Sequence, residues 1–230
     1  MIGGGIFPHP GEISLATNGV LFLDELPEFQ RSVLEVMRQP LEDRKITISR
    51  ARYSVDYPAN FMLIASMNPC PCGYYNHPTR ECNCNEGAVQ HYLSKISGPL
   101  LDRIDIHIEV VPVELDKITG HQEAECSDTI RQRVIAARRI QTERFKAFPG
   151  IHCNAQMNPA LLKKYCPLDS QSIALLKMAM QKFGLSARAY DRIVKLARTI
   201  ADLEASACIL SRHIAEAIQY RSLDRESWGT

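Results

Sequence analysis

The 230-residue sequence contains no Gly-Lys dipeptide. The phosphate-binding loop G-x-x-x-x-G-K-[ST] requires that dipeptide, because its lysine and the backbone amides of the loop hold the phosphates of a nucleotide. A phosphate cradle of this type is therefore excluded within these 230 residues.

Long apolar runs and a surplus of one charge are also absent. No apolar stretch approaches the about 20 residues of a membrane-spanning helix, and the first residues lack the basic-then-apolar pattern of a secretory signal. The sequence therefore predicts a cytosolic protein without a membrane partner, in which the eight cysteines are thiols or metal ligands rather than disulfides. Lysine and arginine number 27 against 26 acidic residues, so any contact with nucleic acid would need a local basic patch.

The pattern of residues divides the chain into an α/β part and a helical part. Strands are predicted at Val20–Leu23, Phe61–Ala65 and Ile106–Val111, with a hairpin over residues 45–57. The first two strands read as buried on both faces. A helix over Ser32–Arg38 is expected to stop at Pro40.

Three regions follow from this reading: an α/β core over residues 1–119, a polar linker with a charged helix over 120–153, and an all-helical region over 154–230. Helix caps are predicted at Asn158, Asp169, Ser186 and Ser211, with Gly184 at a helix C-terminus. The glycine- and proline-rich start, residues 1–18, reads as a loop, and we expect the chain to be a fragment of a longer protein.

The stretch "GVLFLDELPEF" places two adjacent carboxylates, Asp24 and Glu25 (the acid pair), directly after a predicted strand. Such a pair can be two solvated acids at a strand end. It can also line a ligand crevice, where Asp24 would hold Mg²⁺ on the phosphates of a nucleotide and Glu25 would polarise a water molecule. The pair alone leaves both interpretations open.

Three more polar residues stand at positions that suit the second interpretation. Asn68 follows the second predicted strand and is expected at the same sheet edge as the acid pair. Arg103 lies in "SGPLLDRID", and Arg188 lies in "GLSARAYDR", just after the predicted cap Ser186. The alternatives are a surface ion pair of Arg103 with Asp102 or Asp105, and a simple charge near a helix cap for Arg188.

The order of the blocks LFLDE, SMNPCPCG, GPLLDRIDIH and LSARAYDR resembles the magnesium-chelatase-like AAA+ ATPases of the YifB/ComM type. The resemblance covers nearly the whole chain. It implies a partial AAA+ P-loop-type core, in which a parallel sheet carries helices and a hairpin insert, followed by an all-helical lid domain. Without a phosphate loop, the 230 residues by themselves are expected to bind ATP weakly or not at all.

The resemblance also implies a role for each candidate residue. It assigns the Walker B positions to Asp24, on the Mg²⁺ side of ATP, and Glu25, sensor 1 to Asn68, the arginine finger to Arg103, and sensor 2 to Arg188. An arginine finger acts on the nucleotide of a neighbouring subunit, so the resemblance implies a ring, expected to be a hexamer.

Four cysteines are concentrated in "NPCPCGYYNHPTRECNC", within residues 69–85 (the cysteine loop). Two C-x-C pairs, Cys70 with Cys72 and Cys82 with Cys84, can form a four-thiolate zinc site, in which His77 could replace one sulfur. A site filled by four thiolates has no open position and would be structural. The alternative is a loop of reduced thiols.

The predicted hairpin concentrates basic residues on an otherwise balanced chain. Arg44, Lys45, Arg50 and Arg52 are interpreted as a basic tip, although a solvated hairpin is the ordinary alternative. The resemblance implies that this hairpin, and the segment "GGGIFPHPGEI", project toward the central channel of a ring. Basic tips there would contact the phosphates of DNA without reading its sequence.

Three hypotheses for function result. The first is a ring-forming ATPase that remodels DNA, for which the resemblance implies ATP-driven branch migration during natural transformation. The second is a magnesium-chelatase-type subunit that remodels a protein partner for metal insertion. The third is a zinc-stapled interaction module that carries degenerate ATPase residues.

Overall fold

The structure, a computed structural model, describes residues 1–5, 8–50, 53–113 and 124–221. The described residues form two compact units, residues 1–104 (unit 1) and residues 105–221 (unit 2). Each unit has an apolar core of its own. Among the described residues, no helix combines the length and the apolar character needed to cross a membrane.

Unit 1 contains short strands and helices. Its strands are β1 (Gly3–Gly4), β2 (His9–Pro10), β3 (Val20–Leu23), β4 (Lys45–Arg50), β5 (Tyr53–Pro58) and β6 (Met62–Ala65). Its helices are α1 (Glu12–Leu15), a 3-10 helix (Leu26–Glu28), α2 (Arg31–Val36), α3 (Arg38–Asp43), α4 (Glu86–Ser94) and α5 (Gly98–Leu101). The strands form three two-stranded sheets, of which β3–β6 is parallel and β1–β2 and β4–β5 are antiparallel.

The parallel pair confirms the first two predicted strands but corrects their burial. Leu23 lies opposite Ala65, and its side chain is 5% exposed in a core shared with α1, α2 and α5. The prediction that both faces are buried is wrong, because the described residues of unit 1 cover one face of the pair. The large apolar side chains on the other face are exposed: Val20, Phe22, Met62 and Ile64.

The predicted hairpin is confirmed as β4 and β5. Ile46 and Ile48 face the core of unit 1, as their alternation with polar residues predicts. Arg50 lies opposite Tyr53 at the turn, whereas Lys45 lies opposite Pro58 at the other end. Lys45 is therefore at the base of the hairpin, and its predicted position at the tip is wrong.

Two other local predictions are wrong for identifiable reasons. Pro40 does not end the helical segment, because a new helix, α3, begins after Met37. Pro40 is the third residue of α3, where its missing N–H removes no helical hydrogen bond. Residues 106–111 have no strand in the structure, although they alternate, since no described strand pairs with them.

Unit 2 is all-helical in its described elements, as predicted. Its helices are α6 (Ser127–Phe145), a 3-10 helix (Asn154–Gln156), α7 (Pro159–Tyr165), α8 (Ser170–Phe183), α9 (Ala187–Leu203) and α10 (Ser211–Gln219). The two units together confirm the predicted fold class, an α/β partial core followed by a helical region.

The helix caps of unit 2 confirm four of five predictions. The side chains of Asn158, Asp169 and Ser186 accept hydrogen bonds from backbone N–H groups at the starts of α7, α8 and α9, and Gly184 ends α8 with φ +60°. The prediction for Ser211 is wrong. The buried His213 caps α10 instead, because its Nδ1 accepts the N–H of Leu210 at 3.0 Å.

A buried polar network joins α6, the 3-10 helix and α9. The Asp202 side chain, which is fully buried, pairs with Nη2 of Arg144 at 2.5 Å and with Arg198 at 3.1 Å. Asn154 donates from Nδ2 to Asp202 Oδ2 at 2.8 Å. One carboxylate therefore compensates two guanidinium groups inside unit 2.

Candidate functional site

The structure brings Asp24 to the loop that leaves the neighbouring strand. Because β3 and β6 are parallel and in register, they end at the same edge of the sheet. There Oδ1 of Asp24 accepts hydrogen bonds from the hydroxyl of Ser66 and, at 3.0 Å, from the backbone N–H of Glu25. Ser66 was missed in the sequence. Its position directly after a strand that ends beside Asp24 is the signal that could have identified it.

Glu25 has a left-handed backbone, with φ 51° and ψ 49°. This conformation costs a non-glycine residue on the order of 1–2 kcal/mol, so the surrounding structure must hold it. The N–H of Leu26 donates to the carbonyl of Ser66 at 2.9 Å, and the N–H of Glu28 donates to the carbonyl of Glu25 at 2.8 Å. The Glu25 side chain is thereby directed into solvent beside Asp24, and such strain is characteristic of functional sites.

Asn68 follows Ser66 by two residues and is exposed. The cysteine loop turns back beside it. Gly73 has φ +82°, and a Cβ atom added there would lie 4.0 Å from Cγ of Asn68. The amide of Asn68 therefore lies next to the turn that carries Cys70 and Cys72.

The four cysteines of the cysteine loop form one cluster. The Sγ atom of Cys70 lies 3.4 Å from that of Cys72 and 3.7 Å from that of Cys82, and 3.5 Å separates the Sγ atoms of Cys72 and Cys82. With Cys84 included, all four sulfurs lie within 4.8 Å of one another. A tetrahedral Zn²⁺ with bonds of about 2.3 Å spaces its sulfurs about 3.8 Å apart, so the donor set fits zinc.

The thiols of the cluster do not titrate independently. A backbone hydrogen bond at Tyr74 lowers the pKa of Cys72 to about 6. A backbone hydrogen bond at Cys84 lowers the pKa of Cys82, but burial and the thiols of Cys72 and Cys70 outweigh it and raise that pKa to about 12. His77 lies outside the cluster of sulfurs, and its Nδ1 accepts the backbone N–H groups of Thr79 and Arg80 at 3.2 and 3.1 Å.

Arg103 is 9% exposed and bound within unit 1. Its Nε donates to the carbonyl of Arg38 at 3.2 Å and its Nη1 to that of Pro99 at 2.5 Å. Its Nη2 pairs with Oε2 of Glu42 at 2.9 Å. Arg103 therefore pairs with an acid of α3, Glu42, and Asp105 pairs with Arg192. None of these contacts joins Arg103 to the acid pair.

Arg188 lies in unit 2, in the first turn of α9. Its side chain is exposed, and the preceding Ser186 caps the helix by accepting the N–H of Ala189 at 3.2 Å. The predicted position of Arg188 beside a capped helix N-terminus is confirmed.

The base of the hairpin carries a compensated charge. Lys45 Nζ pairs with Asp56 Oδ2 at 2.9 Å, and the hydroxyl of Thr47 donates to Oδ1 of Asp56 at 2.6 Å. The Thr47 hydroxyl, together with the Lys45 ammonium, holds the pKa of Asp56 below its usual value. The backbone of Arg50 is described as the last residue of β4, and Arg52 lies outside the described residues.

Comparison with known proteins identifies the family. Residues 1–118 match the family described as magnesium chelatase, subunit ChlI, and residues 124–221 match the family described as its C-terminal part. The chain is 45% identical to "Competence protein ComM" of Haemophilus influenzae over 98% of its length, and 43% identical to the protein YifB of Escherichia coli over 98%. It is 23% identical over 90% of its length to "DNA replication licensing factor mcm6" of Dictyostelium discoideum, of which it covers 23%.

The α/β core and the helical region have the predicted architecture, a partial AAA+ core followed by an all-helical region. The chain belongs to the magnesium chelatase subunit ChlI family, and within it to the YifB/ComM type, as its sequence blocks predicted. It spans 43% of the length of ComM and of YifB.

Proposed function

We propose that the protein carrying this chain is a ring-forming AAA+ ATPase that couples ATP hydrolysis to the remodelling of DNA. The observation that supports it best is the acid pair at the shared edge of β3 and β6. Ser66 orients the carboxylate of Asp24 there, and a strained backbone directs Glu25 into solvent beside it. Phosphoryl transfer depends mainly on the positioning of the reactants and on compensation of the phosphate charge. Carboxylates at such an edge can position a water molecule and hold the Mg²⁺ that compensates this charge.

In this proposal three residues of unit 1 have different roles in the hydrolysis of one bound nucleotide. Asp24 holds Mg²⁺, which would neutralise charge on the phosphates. Glu25 accepts a proton from the attacking water, and the Asn68 amide helps to position that water. Since these 230 residues contain no phosphate loop and cover 43% of each relative, we place that loop in the remainder of the full-length protein.

The two arginines supply positive charge in the proposal. Arg103 is the finger for the nucleotide of a neighbouring subunit, and Arg188 is sensor 2 of its own chain. A finger must reach a phosphate, whereas Arg103 is held here by Glu42 and two carbonyls. We therefore propose that ring assembly exchanges the Glu42 contact for a phosphate contact.

Mixed rings test whether Arg103 acts across a subunit boundary. Full-length Arg103→Ala and Glu25→Gln are each expected to lose ATP turnover, because each lacks one part of every site. Mixed together, they are expected to regain part of it, since some sites then combine Glu25 of one subunit with Arg103 of its neighbour. The turnover of the mixture against each variant alone is the measurement. A mixture that stays as inactive as its components would assign Arg103 to its own subunit.

The names of two relatives support DNA as the partner. One is a competence protein and the other a DNA replication licensing factor. In the proposal the hairpin tip, Arg50 and Arg52, contacts DNA phosphates in the channel of a hexameric ring, independent of sequence. ATP-driven branch migration in natural transformation is the specific activity that we propose for such a ring.

Binding to forked DNA tests the hairpin. In the full-length protein, forked DNA is expected to stimulate ATP turnover, and Arg50→Ala with Arg52→Ala is expected to reduce both stimulation and affinity. Binding to DNA phosphates releases counterions, so added salt weakens it. The magnitude of the slope of log affinity against log salt concentration should therefore decrease by about 1 for each phosphate that the variant no longer neutralises. Fluorescence anisotropy over a series of salt concentrations measures that slope.

Lys45→Ala is the matched control, since it removes a cation from the same hairpin. Asp56 already compensates Lys45 at the base, so this variant should change the salt slope little. Equal losses in the control and in the double variant would indicate that general charge, rather than the tip, attracts DNA.

The family description favours a second candidate, a magnesium-chelatase-type subunit that remodels a protein partner. Turnover that DNA does not stimulate would favour it. A zinc-stapled interaction module, the third hypothesis, would require that the full-length protein hydrolyse no ATP.

We also propose that the four thiolates of the cysteine loop hold a structural Zn²⁺. The spacing of the sulfurs supports this assignment. Thiolates that remain reduced to hold zinc are typical of the cytosol, where we place the protein.

A further inference from the structure

The cysteine loop is attached to the candidate site at its first residues. Asn68 precedes Cys70 by two positions. The side chain of Cys70 is fully buried and packs with Val89, Tyr92 and Leu93 of α4. The segment that carries Asn68 is therefore anchored on α4 through a residue that is itself a proposed metal ligand.

The turn between two of the sulfurs, those of Cys70 and Cys72, lies near the Asn68 amide. The N–H of Gly73 donates to the carbonyl of Cys70 at 3.0 Å, which closes a turn that contains Cys72. Gly73 lies close enough to Asn68 that an added Cβ would meet its Cγ at 4.0 Å. Any change in the position of this turn therefore changes the space next to Asn68.

The second pair of sulfurs ties the same turn to the start of α4. Cys84 directly precedes Asn85, and Cys82 lies three residues before it; Asn85 caps α4 by accepting the N–H of Ala88 at 2.7 Å. A metal ion bound to all four sulfurs would join the turn beside Asn68 to the capped end of a helix.

Tyr92 supports the same connection from the side of the helix. It is 5% exposed and packs against Cys70. Burial, together with the negative charges of Glu28 and Glu25, raises the pKa of Tyr92. The phenol group of Tyr92 therefore lies within the electrostatic influence of the acid pair.

We propose that metal bound by the four cysteines holds the Asn68 amide in its working position, so that zinc occupancy controls ATP turnover but not ATP binding. This inference depends on the proposed function, because it assigns the amide a role in hydrolysis. The cysteines and Gly73 are positioning residues in it, since they act through Asn68.

The test compares full-length protein with and without metal. Wild-type protein is stripped with a chelator and reloaded with Zn²⁺ or Co²⁺, and Cys82→Ser with Cys84→Ser provides a permanently deficient form. We expect about one metal ion per chain and, for Co²⁺, the absorption of a tetrahedral thiolate site. Metal loss should lower kcat by about 10-fold or more, as for removal of one group that positions the reactants, and reloading should restore it. The Kd of ATP should change by less than about 2-fold, a negligible free energy.

An Asn68→Ala variant makes the test specific to this amide. Its kcat is expected to be low already, and removal of metal should lower it little further, because interacting groups are not additive. Cys208→Ser changes an exposed thiol outside the cysteine loop and should leave metal content and kcat unchanged.

Several results would overturn the inference. The first is that wild-type protein binds no metal, and the second is that loss of metal leaves kcat unchanged. The third is that loss of metal weakens ATP binding as much as it lowers turnover. The fourth is that loss of metal lowers kcat in Asn68→Ala by as much as in the wild type. Wild-type protein that binds metal but hydrolyses no ATP would overturn the proposed function and, with it, the inference. ATP hydrolysis at equal rates with and without metal would overturn the inference alone.

Discussion

Replacement of Glu25 by glutamine in the full-length protein is expected to lower ATP turnover by about 10²–10⁴-fold, the usual contribution of a general base. Glutamine has nearly the shape of glutamate but cannot accept the proton of the attacking water. Asp24 and its contact with Ser66 stay in place, so the affinity for ATP should change little. Steady-state turnover, measured beside the Kd of a fluorescent ATP analogue, separates the two effects.

Glu28→Gln is the matched control for this prediction. It makes the same chemical change three residues further along, at an exposed carboxylate that lies 3.7 Å from Lys95. Turnover of this variant should remain near that of the wild type. If Glu25→Gln retained turnover, or if both variants lost it equally, Glu25 would not be the base.

Asp202→Asn is expected to lower the free energy of unfolding of unit 2 by about 3–5 kcal/mol, because removal of one partner leaves a buried charge uncompensated. Here two guanidinium groups, those of Arg144 and Arg198, would be deprived of their common carboxylate. Asn154 would also be deprived of a charged acceptor. Urea-induced unfolding, followed by the decrease in helical circular dichroism, measures the change.

Asp128→Asn provides the comparison for Asp202. Asp128 lies in the first turn of α6 and pairs with Arg131 at 3.7 Å, with both side chains largely exposed. Exposed pairs of this kind contribute about 0–1 kcal/mol, so unfolding should change little. A loss of less than about 1 kcal/mol in Asp202→Asn would contradict a central role of the buried network, because buried pairs cost more to break.

Much of the fold was predictable because its signals are local. The hairpin followed from the alternation of Ile46 and Ile48 with polar residues, and three caps followed from side chains that bond to N–H groups three residues away. The cap predicted at Ser211 is wrong because Leu210 is the N-cap and the imidazole of His213 reaches back to its N–H, which is a rarer arrangement than a hydroxyl or carboxylate cap.

The burial of the strand faces and the partners of ion pairs were less predictable, since they depend on which elements pack against each other in the tertiary structure. The apolar runs of β3 and β6 indicated strands, but the described residues bury one face. Arg103 has two acids near it in the sequence, and its guanidinium nevertheless also pairs with Glu42 on α3. The sequence offered no signal for the choice of Glu42.

The sequence alone determined four features, because short stretches of contiguous residues carry them. These are the family, the division into an α/β core and a helical region, the acid pair after a strand, and the four cysteines of the cysteine loop. The tertiary structure decided which distant groups meet. Ser66 is hydrogen-bonded to Asp24, 42 residues away in the sequence, and Arg144 to Asp202, 58 residues away. The turn that contains Gly73 lies beside Asn68. The physical reason is that such contacts depend on the register of strands and the packing of helices, which no short stretch of sequence specifies.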